Sequence, residues 1–375
     1  MNSRARLIAF YLPQFHPIPE NDGWWGQGFT EWANVIRARP LFKGHYQPHI
    51  PADLGFYDLR LSETRVAQAE LASKYGIDGF CYYHYWFNGK QLLERPFNEV
   101  VSSGKPEFPF CLAWANESWS RRWLGEDKDI LIEQTYSSED DLNHARWLVK
   151  IFADPRYIKV DGRPLFLIYR PTHLPEPNRT VEIVRRESIR GGLKEPYLLG
   201  INGYCWNVDC RTIGFDGTLN FEPNLGFLAD FLDDHAKVSK LKRNLGLGVV
   251  SAKLKIYDYG TARGLMHGVE RHFPLYPCIF VAWDNSPRRG ENGIIIVNSS
   301  PEAFEAGLKK IIQSVEIRPK EERLVFINAW NEWAEGNHLE PDLRHGVGYL
   351  EAVKRANSVH DFSGAPESVN TPLDV

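Results

Sequence analysis

The chain has 375 residues with 44 basic and 48 acidic side chains, which gives a formal net charge of −4. Hydrophobic residues make up 43% of it and charged residues 25%, a balance that excludes disorder and coiled coil as the main architecture. The lack of a basic excess argues against nucleic acid as a partner. The aromatic content is high, with 12 Trp, 16 Tyr and 21 Phe. Many tryptophans stand beside Asn, Glu and His, which favours a sugar-binding surface because flat rings suit the C–H faces of pyranoses.

The cysteines and the N-terminal residues indicate the cellular compartment of the protein. Five cysteines occur without a C-x-x-C pair, and Cys81, Cys111 and Cys278 lie in apolar runs typical of buried thiols in a reducing environment. The first residues contain no apolar signal core, and no stretch approaches the ~20 apolar residues that span a bilayer. These features predict a cytoplasmic protein without a transmembrane segment.

Short apolar runs recur along the chain and alternate with helical patterns. Several runs are almost continuously apolar, as expected for parallel strands that are buried on both faces. The predicted strands are Leu7–Tyr11, Gly79–Trp86, Phe108–Ala115, Leu165–Tyr169, Tyr197–Asn202, Gly217–Phe221, Cys278–Trp283 and Leu324–Ala329. Helix N-cap signals stand at Ser62, Ser138 and Ser300, another helix starts at Thr180, and a last helix covers Gly348–Ser358.

Eight strands with helices between them predict an α/β fold, a (β/α)₈ TIM barrel. An open doubly wound sheet is the alternative, weakened because no strand is followed by a glycine-rich phosphate turn. The long segments Asn116–Gly162 and Glu222–Pro277 should decorate the C-terminal face of the barrel. No linker or repeat divides the chain, so we expect one catalytic domain over residues 1–375, with an ordered core of about residues 5–360 and a loose tail from Phe362.

The active site of such a barrel lies at the C-terminal ends of its strands, where this chain places aromatic and hydrogen-bonding residues. Because parallel strands present those ends on one face, these residues should line one cleft. The candidate substrate-binding residues are Tyr11, His84, Tyr85, Trp114, Asn116, Tyr169, Asn202, Glu222, Trp283 and Asn331.

Two carboxylates follow the last strand, in the segment from Asn328 to Glu340. Glu332 and Glu335 are three residues apart and flanked by Trp and amide side chains. Glycoside cleavage uses two carboxyl groups, and packing against Trp raises the pKa of a carboxyl toward the range of a general acid. Glu332 and Glu335 are therefore the candidate catalytic residues, and a surface loop with helix-capping acids is the plainer alternative.

Other motifs give weak support for metal or nucleotide chemistry. His45 and His49 have the spacing of a zinc-binding helix, but Pro48 between them prevents that helix. The sequence Asp127-Lys128-Asp129 matches the D-x-D of sugar-nucleotide metal sites, a pattern that is common by chance. No phosphate-binding loop or nucleophile elbow is present. We therefore expect no metal and no cofactor.

Several blocks resemble the WbsX-type proteins of bacterial surface-polysaccharide loci. They cover roughly residues 5–355 and are Tyr11–His16, Trp24–Gly26, Gly28–Trp32, Gly44–His49, Tyr82–Trp86, Trp114–Glu117 and Asn331–Asp342. WbsX-type proteins have been described as glycosyltransferases of lipopolysaccharide O-antigen synthesis. They are also similar to glycoside hydrolase family 99, a group of endo-acting α-mannosidases and α-mannanases built on a (β/α)₈ barrel.

The resemblance to family 99 implies a retaining mechanism through a 1,2-anhydro sugar. In an E-W-x-E pair, the first glutamate takes the proton of the sugar 2-hydroxyl, and the second protonates the leaving group and then activates water. Glu332-Trp333-Ala334-Glu335 matches this pair, which would make Glu332 the base and Glu335 the acid/base.

The leading hypothesis is thus an enzyme that cleaves α-linked, mannose-like glycans of surface polysaccharide, with an oligosaccharide or polysaccharide as its partner. A glycosyltransferase is the second hypothesis, for which only Asp127 and Asp129 could hold a donor diphosphate. A non-catalytic glycan-binding barrel is the third, although such a protein would have no reason to keep both carboxylates.

Overall fold

The computed structural model describes residues 5–121, 126–203, 207–232, 251, 253–267 and 272–358. Cys205 and the predicted tail from Phe362 lie outside these residues. None of the helices in the described part of the chain is both long and apolar enough to cross a membrane.

Eight parallel strands close into a barrel. The pairing runs from the first strand to the last, then back along the chain to the second strand, which pairs with the first again. Ile8 pairs with Phe326 on one side and with Gly79 on the other. The barrel strands are β1 Arg6–Tyr11, β2 Gly79–Phe87, β3 Phe110–Trp114, β4 Arg163–Ile168, β5 Tyr197–Ile201, β6 Gly217–Asn220, β7 Leu275–Phe280 and β8 Leu324–Asn328.

This closed topology confirms the (β/α)₈ TIM barrel and excludes the open sheet, in which β1 and β8 would not be neighbours. The predicted strand bounds differ most at β7, which begins three residues earlier than Cys278. It also ends before Trp283, because Trp283–Asp284 pairs instead with Ile294–Val297 in a small separate sheet. That sheet lies beyond the end of β7, on the side of the strand ends.

Helices cover the outside of the barrel and parts of its C-terminal face. In the described residues they are α1 Pro19–Trp25, α2 Glu31–Arg37, α3 Ser62–Lys74, α4 Arg95–Ser103, α5 Ser138–Phe152, α6 Pro177–Arg190, α7 Leu225–Leu232, α8 Tyr259–His267, α9 Ser286–Arg289, α10 Pro301–Val315 and α11 Gly348–Asn357.

The predicted caps were partly correct. Ser300 caps α10 by accepting the backbone N–H of Ala303, as expected. In α5 the cap is Ser137, one residue before the predicted Ser138. Ser62 is the first residue of α3 and makes no capping hydrogen bond, and α6 begins at Pro177 instead of Thr180.

Side chains along each barrel strand alternate between the interior and the helical layer. Phe10 and Tyr83 point inward, where the Phe10 ring lies 5.1 Å from Phe221 and 5.5 Å from Tyr83. Tyr11 and Tyr82 point outward and contact each other 4.5 Å apart. This alternation decides which strand-end residues face the C-terminal cleft. The thiols of Cys81, Cys111 and Cys278 are buried, as the sequence predicted.

Residues of the two long insertions line part of the C-terminal face of the barrel. Residues 116–162 contribute a hairpin, Trp119–Arg121 paired with Glu126–Ile132, followed by α5. Residues 222–277 contribute α7, the strand Lys255–Asp258 and α8. Residues of both insertions, among them Trp119 and Leu225, line the cleft described next.

Candidate active site

A cleft of about 240 Å³ opens at the C-terminal ends of the barrel strands. Seven aromatic side chains from different parts of the chain line it, which gives flat apolar surfaces on several sides. Polar and charged groups stand between them. Its lining includes Gln14, Asn21, Trp25, Tyr83, Tyr85, Glu117, Trp119, Tyr169, Phe221, Trp283, Asn285, Arg288, Glu332 and Glu335.

Glu332 and Glu335 reach this cleft from a short hairpin after β8. Asn331–Glu332 pairs antiparallel with Asn337–His338, and a 3₁₀ turn at Trp333–Glu335 connects them. Gly336 completes the turn with a φ of +57°, and a Cβ there would lie 3.2 Å from Asp284 and from His49. A glycine is therefore required for this turn, which brings both carboxylates to one side.

Buried hydrogen bonds connect the hairpin to neighbouring segments of the chain. The indole of Trp333 donates to Glu340 at 2.6 Å, and Glu340 also accepts from Gln68 and Tyr57. The Asn331 amide donates to the carbonyl of Leu12 and accepts its N–H. Through Asn331 the hairpin is bonded to Leu12, and through Trp333 it is bonded to Glu340, which Gln68 and Tyr57 also contact. These contacts fix the direction in which Glu332 and Glu335 point.

A single guanidinium joins three carboxylates. Arg288, in α9, contacts Glu335 at 2.5 Å, Glu31 at 2.7 Å and Glu332 at 3.3 Å. Arg288 and Glu31 are buried, and Glu31 is the first residue of α2. The charge of the arginine offsets part of the cost of placing several carboxylates in one buried site.

The electrostatics of the pair favour a shared proton. Burial, followed by the neighbouring Glu335, raises the pKa of Glu332 to about 8, although Arg288 acts in the opposite direction. Burial also raises the pKa of Glu335, again against the effect of Arg288. A carboxyl pair of this kind retains one proton at neutral pH, which is what an acid/base pair requires.

Five of the candidate site residues lie together on the cleft. They are Glu332 and Glu335 with Tyr85, Tyr169 and Trp283. Tyr85 comes from the inward-facing positions of β2, Tyr169 follows β4, and Trp283 belongs to the small sheet beyond β7.

Three aromatic candidates, by contrast, point into the helical layer, so the expectation that they line the cleft was wrong. The Tyr11 hydroxyl donates to Gln68 of α3. His84 stacks on Trp147 of α5, and the Trp114 indole donates to the carbonyl of Trp86. They occupy outward positions of their strands, since neighbouring residues alternate between the two sides.

Four polar candidates also lie away from the cleft lining. Asn116 bonds to the backbone of Arg170, and Asn331 bonds to Leu12, so both amides join loops. Asn202 faces a small cavity beside Arg170. Glu222 is fully buried, with Oε1 accepting a long hydrogen bond from Asn220. Strand-end position alone did not separate binding groups from groups that hold the loops.

Several cleft residues were not predicted. Tyr83 lies two residues before Tyr85 on the same face of β2, and strand alternation could have found it. Trp25 lines the cleft and Glu31 is buried against Arg288; both stand in the N-terminal blocks of the WbsX resemblance, which assigned them no role. No sequence pattern marks Arg288 as a site residue, because it follows a strand of only two residues. Its contact with Glu31 spans 257 positions of sequence.

The comparisons with known proteins place the chain in a family. A family model described as glycosyltransferase WbsX matches residues 7–353. The chain belongs to the WbsX family. Protein WxcX of Xanthomonas campestris pv. campestris strain B100, described as uncharacterized, is 44% identical to this WbsX protein over 354 residues. The match covers 94% of the chain and 49% of WxcX, so the chain spans about half the length of that relative.

Solved structures share the barrel at low sequence identity. A glycoside hydrolase-like protein aligns with a TM-score of 0.57 and 15% identity, over 96% of this chain and 95% of that one. The GH99 endo-alpha-mannosidase of Bacteroides thetaiotaomicron aligns with a TM-score of 0.54 and 14% identity, over 94% and 96%. At such identities the likeness shows the fold of this WbsX protein.

Proposed function

We propose that this WbsX protein is a glycoside hydrolase that cleaves α-mannose-like linkages within bacterial surface polysaccharide, with retention of configuration. The observation that carries the proposal is the pair of buried Glu332 and partly buried Glu335 at a cleft lined by seven aromatic side chains. Flat rings bind sugar faces, and paired carboxyls with raised pKa values perform acid/base catalysis. The GH99 fold and the WbsX family support an enzyme that acts on carbohydrate.

In the proposed reaction, Glu332 takes the proton of the sugar 2-hydroxyl as its oxygen attacks the anomeric carbon. Glu335 gives its proton to the leaving oxygen as the glycosidic bond breaks, which leaves a 1,2-anhydro sugar. Glu335 then removes a proton from water, which opens that ring at the anomeric carbon, and Glu332 returns a proton to the 2-oxygen. Two inversions at the same carbon retain the configuration, and the separation rule for ordinary carboxylate pairs does not apply.

The substrate has to set the position of the shared proton. Without substrate, Arg288 lies closer to Glu335 than to Glu332, which favours the proton on Glu332. A sugar hydroxyl that donates to Glu332 stabilises its ionised form, whereas a glycosidic oxygen can only accept and so favours protonated Glu335. Binding of a glycan that carries a 2-hydroxyl would therefore move the pair into the reactive state.

Transfer from a sugar nucleotide is the second candidate, favoured by the description of the family as a glycosyltransferase. The strand Glu126–Ile132 carries Asp127 and Asp129, whose side chains lie outside the described part of the structure.

The test is incubation with α-mannans and O-antigen fragments, with and without sugar nucleotides, followed by product analysis. We expect shorter glycans with retained anomeric configuration and no need for a nucleotide. The variant Glu332→Gln/Glu335→Gln serves as the inactive control, and Glu107→Gln, at an exposed site, as the matched active one. Products that form only with a sugar nucleotide would replace the hydrolase with a transferase.

A further inference from the structure

A second cavity, of about 330 Å³, lies next to the hairpin that carries the glutamate pair. Trp283 lines both this cavity and the cleft, so the two are neighbours with a common wall. Gly336 and His338 of the hairpin line it from one side, and the segment around His45 and His49 lines it from another. The proposed glycosidase reaction uses none of these histidines.

Three ligand-type side chains meet in this cavity. His49, His338 and Asp342 each offer a nitrogen or oxygen atom, and the three atoms lie within 4.8 Å of one another. His338 and Asp342 are buried, and His49 is largely buried. Nδ1 of His49 lies 2.9 Å from Nε2 of His338, so two ring nitrogens face each other directly.

The hydrogen bonds settle which nitrogen of His338 can bind an ion. Its Nδ1 lies 2.9 Å from the carbonyl oxygen of Glu340, which can only accept, so Nδ1 carries the proton. In the neutral ring Nε2 then keeps a lone pair directed into the group. A backbone carbonyl on the other ring nitrogen is the arrangement that orients metal-binding histidines in proteins.

The other two groups are held in a comparable way. Oδ1 of Asp342 accepts the backbone N–H groups of Arg344 and His345, at 3.0 and 2.6 Å, which fixes the carboxylate. The ring of His338 stacks on Trp333 with centroids 3.8 Å apart. His45, although close, is engaged elsewhere, because it accepts from the N–H of Leu41 and contacts Asp284 at 2.6 Å.

We propose that His49, His338 and Asp342 bind a divalent transition-metal ion of the Zn²⁺ type. Two imidazole nitrogens and one carboxylate oxygen, with water in the fourth position, form a tetrahedral set that Zn²⁺ accepts, and the cavity has room for the water. Zinc–nitrogen bonds of about 2.0–2.1 Å place the two nitrogens about 3.3 Å apart. The present 2.9 Å therefore has to open by only a few tenths of an ångström.

Binding of the ion requires that His49 move its ring proton from Nδ1 to Nε2. In the metal-free form, Nδ1 of His49 donates to Nε2 of His338, since the latter holds no proton. When the ion replaces that hydrogen, the proton leaves Nδ1 and Nε2 of His49 takes up one proton, so His49 changes tautomer and both rings bind as neutral ligands.

The ion would join two segments that are distant in sequence. Asp342 pairs with Pro51, and the N–H of Leu343 donates to the carbonyl of Ile50, so the two segments already run side by side. A bound ion would fasten them and, through the Trp333–His338 stack, support the hairpin of Glu332. The ion touches none of the reacting atoms of the proposed hydrolysis, so its role is structural.

The test uses untagged, chelator-treated full-length protein titrated with Zn²⁺ by calorimetry, and with Co²⁺ by visible absorption. We expect one equivalent to bind, a rise in Tm with Zn²⁺ and the intense absorption of tetrahedral Co²⁺. His49→Gln and Asp342→Asn should each weaken binding at least tenfold, whereas His272→Gln, at an exposed histidine, should leave it unchanged.

Failure of the wild-type protein to bind an equivalent of either ion would overturn the proposal, whatever the variants do. Binding that both ligand variants retain would also overturn it and would assign the ion to surface groups. Circular dichroism shows whether the variants are folded. None of these measurements uses a glycan, so they stand apart from the test of the hydrolase.

Discussion

The pKa of Glu332 links the chemistry of the site to the stability of the protein. Its value of about 8 in the folded state lies above the ordinary value of 4.5, chiefly because the side chain is buried. The unfolded chain therefore releases this proton at lower pH than the folded protein does. The stabilising effect of protonated Glu332 is complete below about pH 4.5 and is lost as the pH rises through about 8.

We therefore expect Glu332→Gln to become progressively more stable than the wild type as the pH rises from 5 to 8, because glutamine stays neutral. The gain approaches ~1.4 kcal/mol per pH unit inside that window before coupling to Glu335 reduces it. Thermal unfolding across this pH range measures the difference, with the exposed Glu107→Gln as control. A difference in Tm that stays constant or shrinks with pH would contradict the buried, proton-binding state of Glu332.

Among single residues, sequence reasoning located the glutamate pair on the cleft better than the proposed substrate-binding residues. Glu332 and Glu335 stand in a short turn, where spacing of three places both on one side. Residues at strand ends are different, because one step along the strand moves a side chain from the cleft to the helical layer. Tyr85 and His84 are neighbours, yet the first lines the cleft and the second stacks on Trp147. Only the register of the barrel decides between them.

At the scale of elements, β2 depends on a close approach that only glycine allows. Gly79 begins the strand, and a Cβ there would lie 2.7 Å from Cδ1 of Ile158 and 2.8 Å from the backbone oxygen of Pro109. Gly264 in α8 is the opposite case, because among the described residues no atom outside its own stretch of helix lies within 4 Å of its Cβ position.

We expect Gly79→Ala to lower the free energy of unfolding by about 1–3 kcal/mol, since the carbonyl belongs to the backbone and cannot move away easily. Gly264→Ala should instead raise it by about 0.5–1 kcal/mol, because alanine favours the helix. Urea unfolding of both variants measures the two changes. Equal effects, or a stabilised Gly79→Ala, would show that β2 does not start in this close contact.

Most of the strands could be predicted from the sequence, because the barrel buries both faces of each strand. Strands that are buried on both faces leave continuous apolar runs, so all eight predicted runs overlap a barrel strand. The ends of the strands were harder to predict where an apolar run continues past the barrel sheet, as it does from Phe280 to Trp283. In the small sheet of Lys255–Asp258, Ile294–Val297 and Trp283–Asp284, only Ile294–Val297 is a run of four β-branched residues that could have been predicted as a strand, because the other two are too short or too polar to show a period.

At the scale of the whole molecule, chain topology assembles the site from distant segments. Arg288 joins Glu31 from the N-terminal part to the pair that follows β8, and the barrel likewise brings His49 and His338 into contact over 289 positions. Neither group can be found from local spacing, since His49 lies beside His338 and not beside a ligand one helical turn away. The closed barrel makes them neighbours, since β1 and β8 are adjacent.

In the proposed reaction, Glu332 and Glu335 act on a sugar with different tasks. The direct test compares turnover of Glu335→Gln and Glu332→Gln on two α-mannosides that share one sugar and differ only in leaving group. Loss of a general acid costs about 10²–10⁴-fold, and a good leaving group needs little protonation.

We expect Glu335→Gln to lose most of its turnover on the poor leaving group and to recover it largely on the good one. Glu332→Gln should fail on both, because activation of the 2-hydroxyl is needed whatever the leaving group. A 2-deoxy analogue provides the control, since wild-type protein should leave it uncut. Full activity of both variants, or recovery of Glu332→Gln by the good leaving group, would contradict the account.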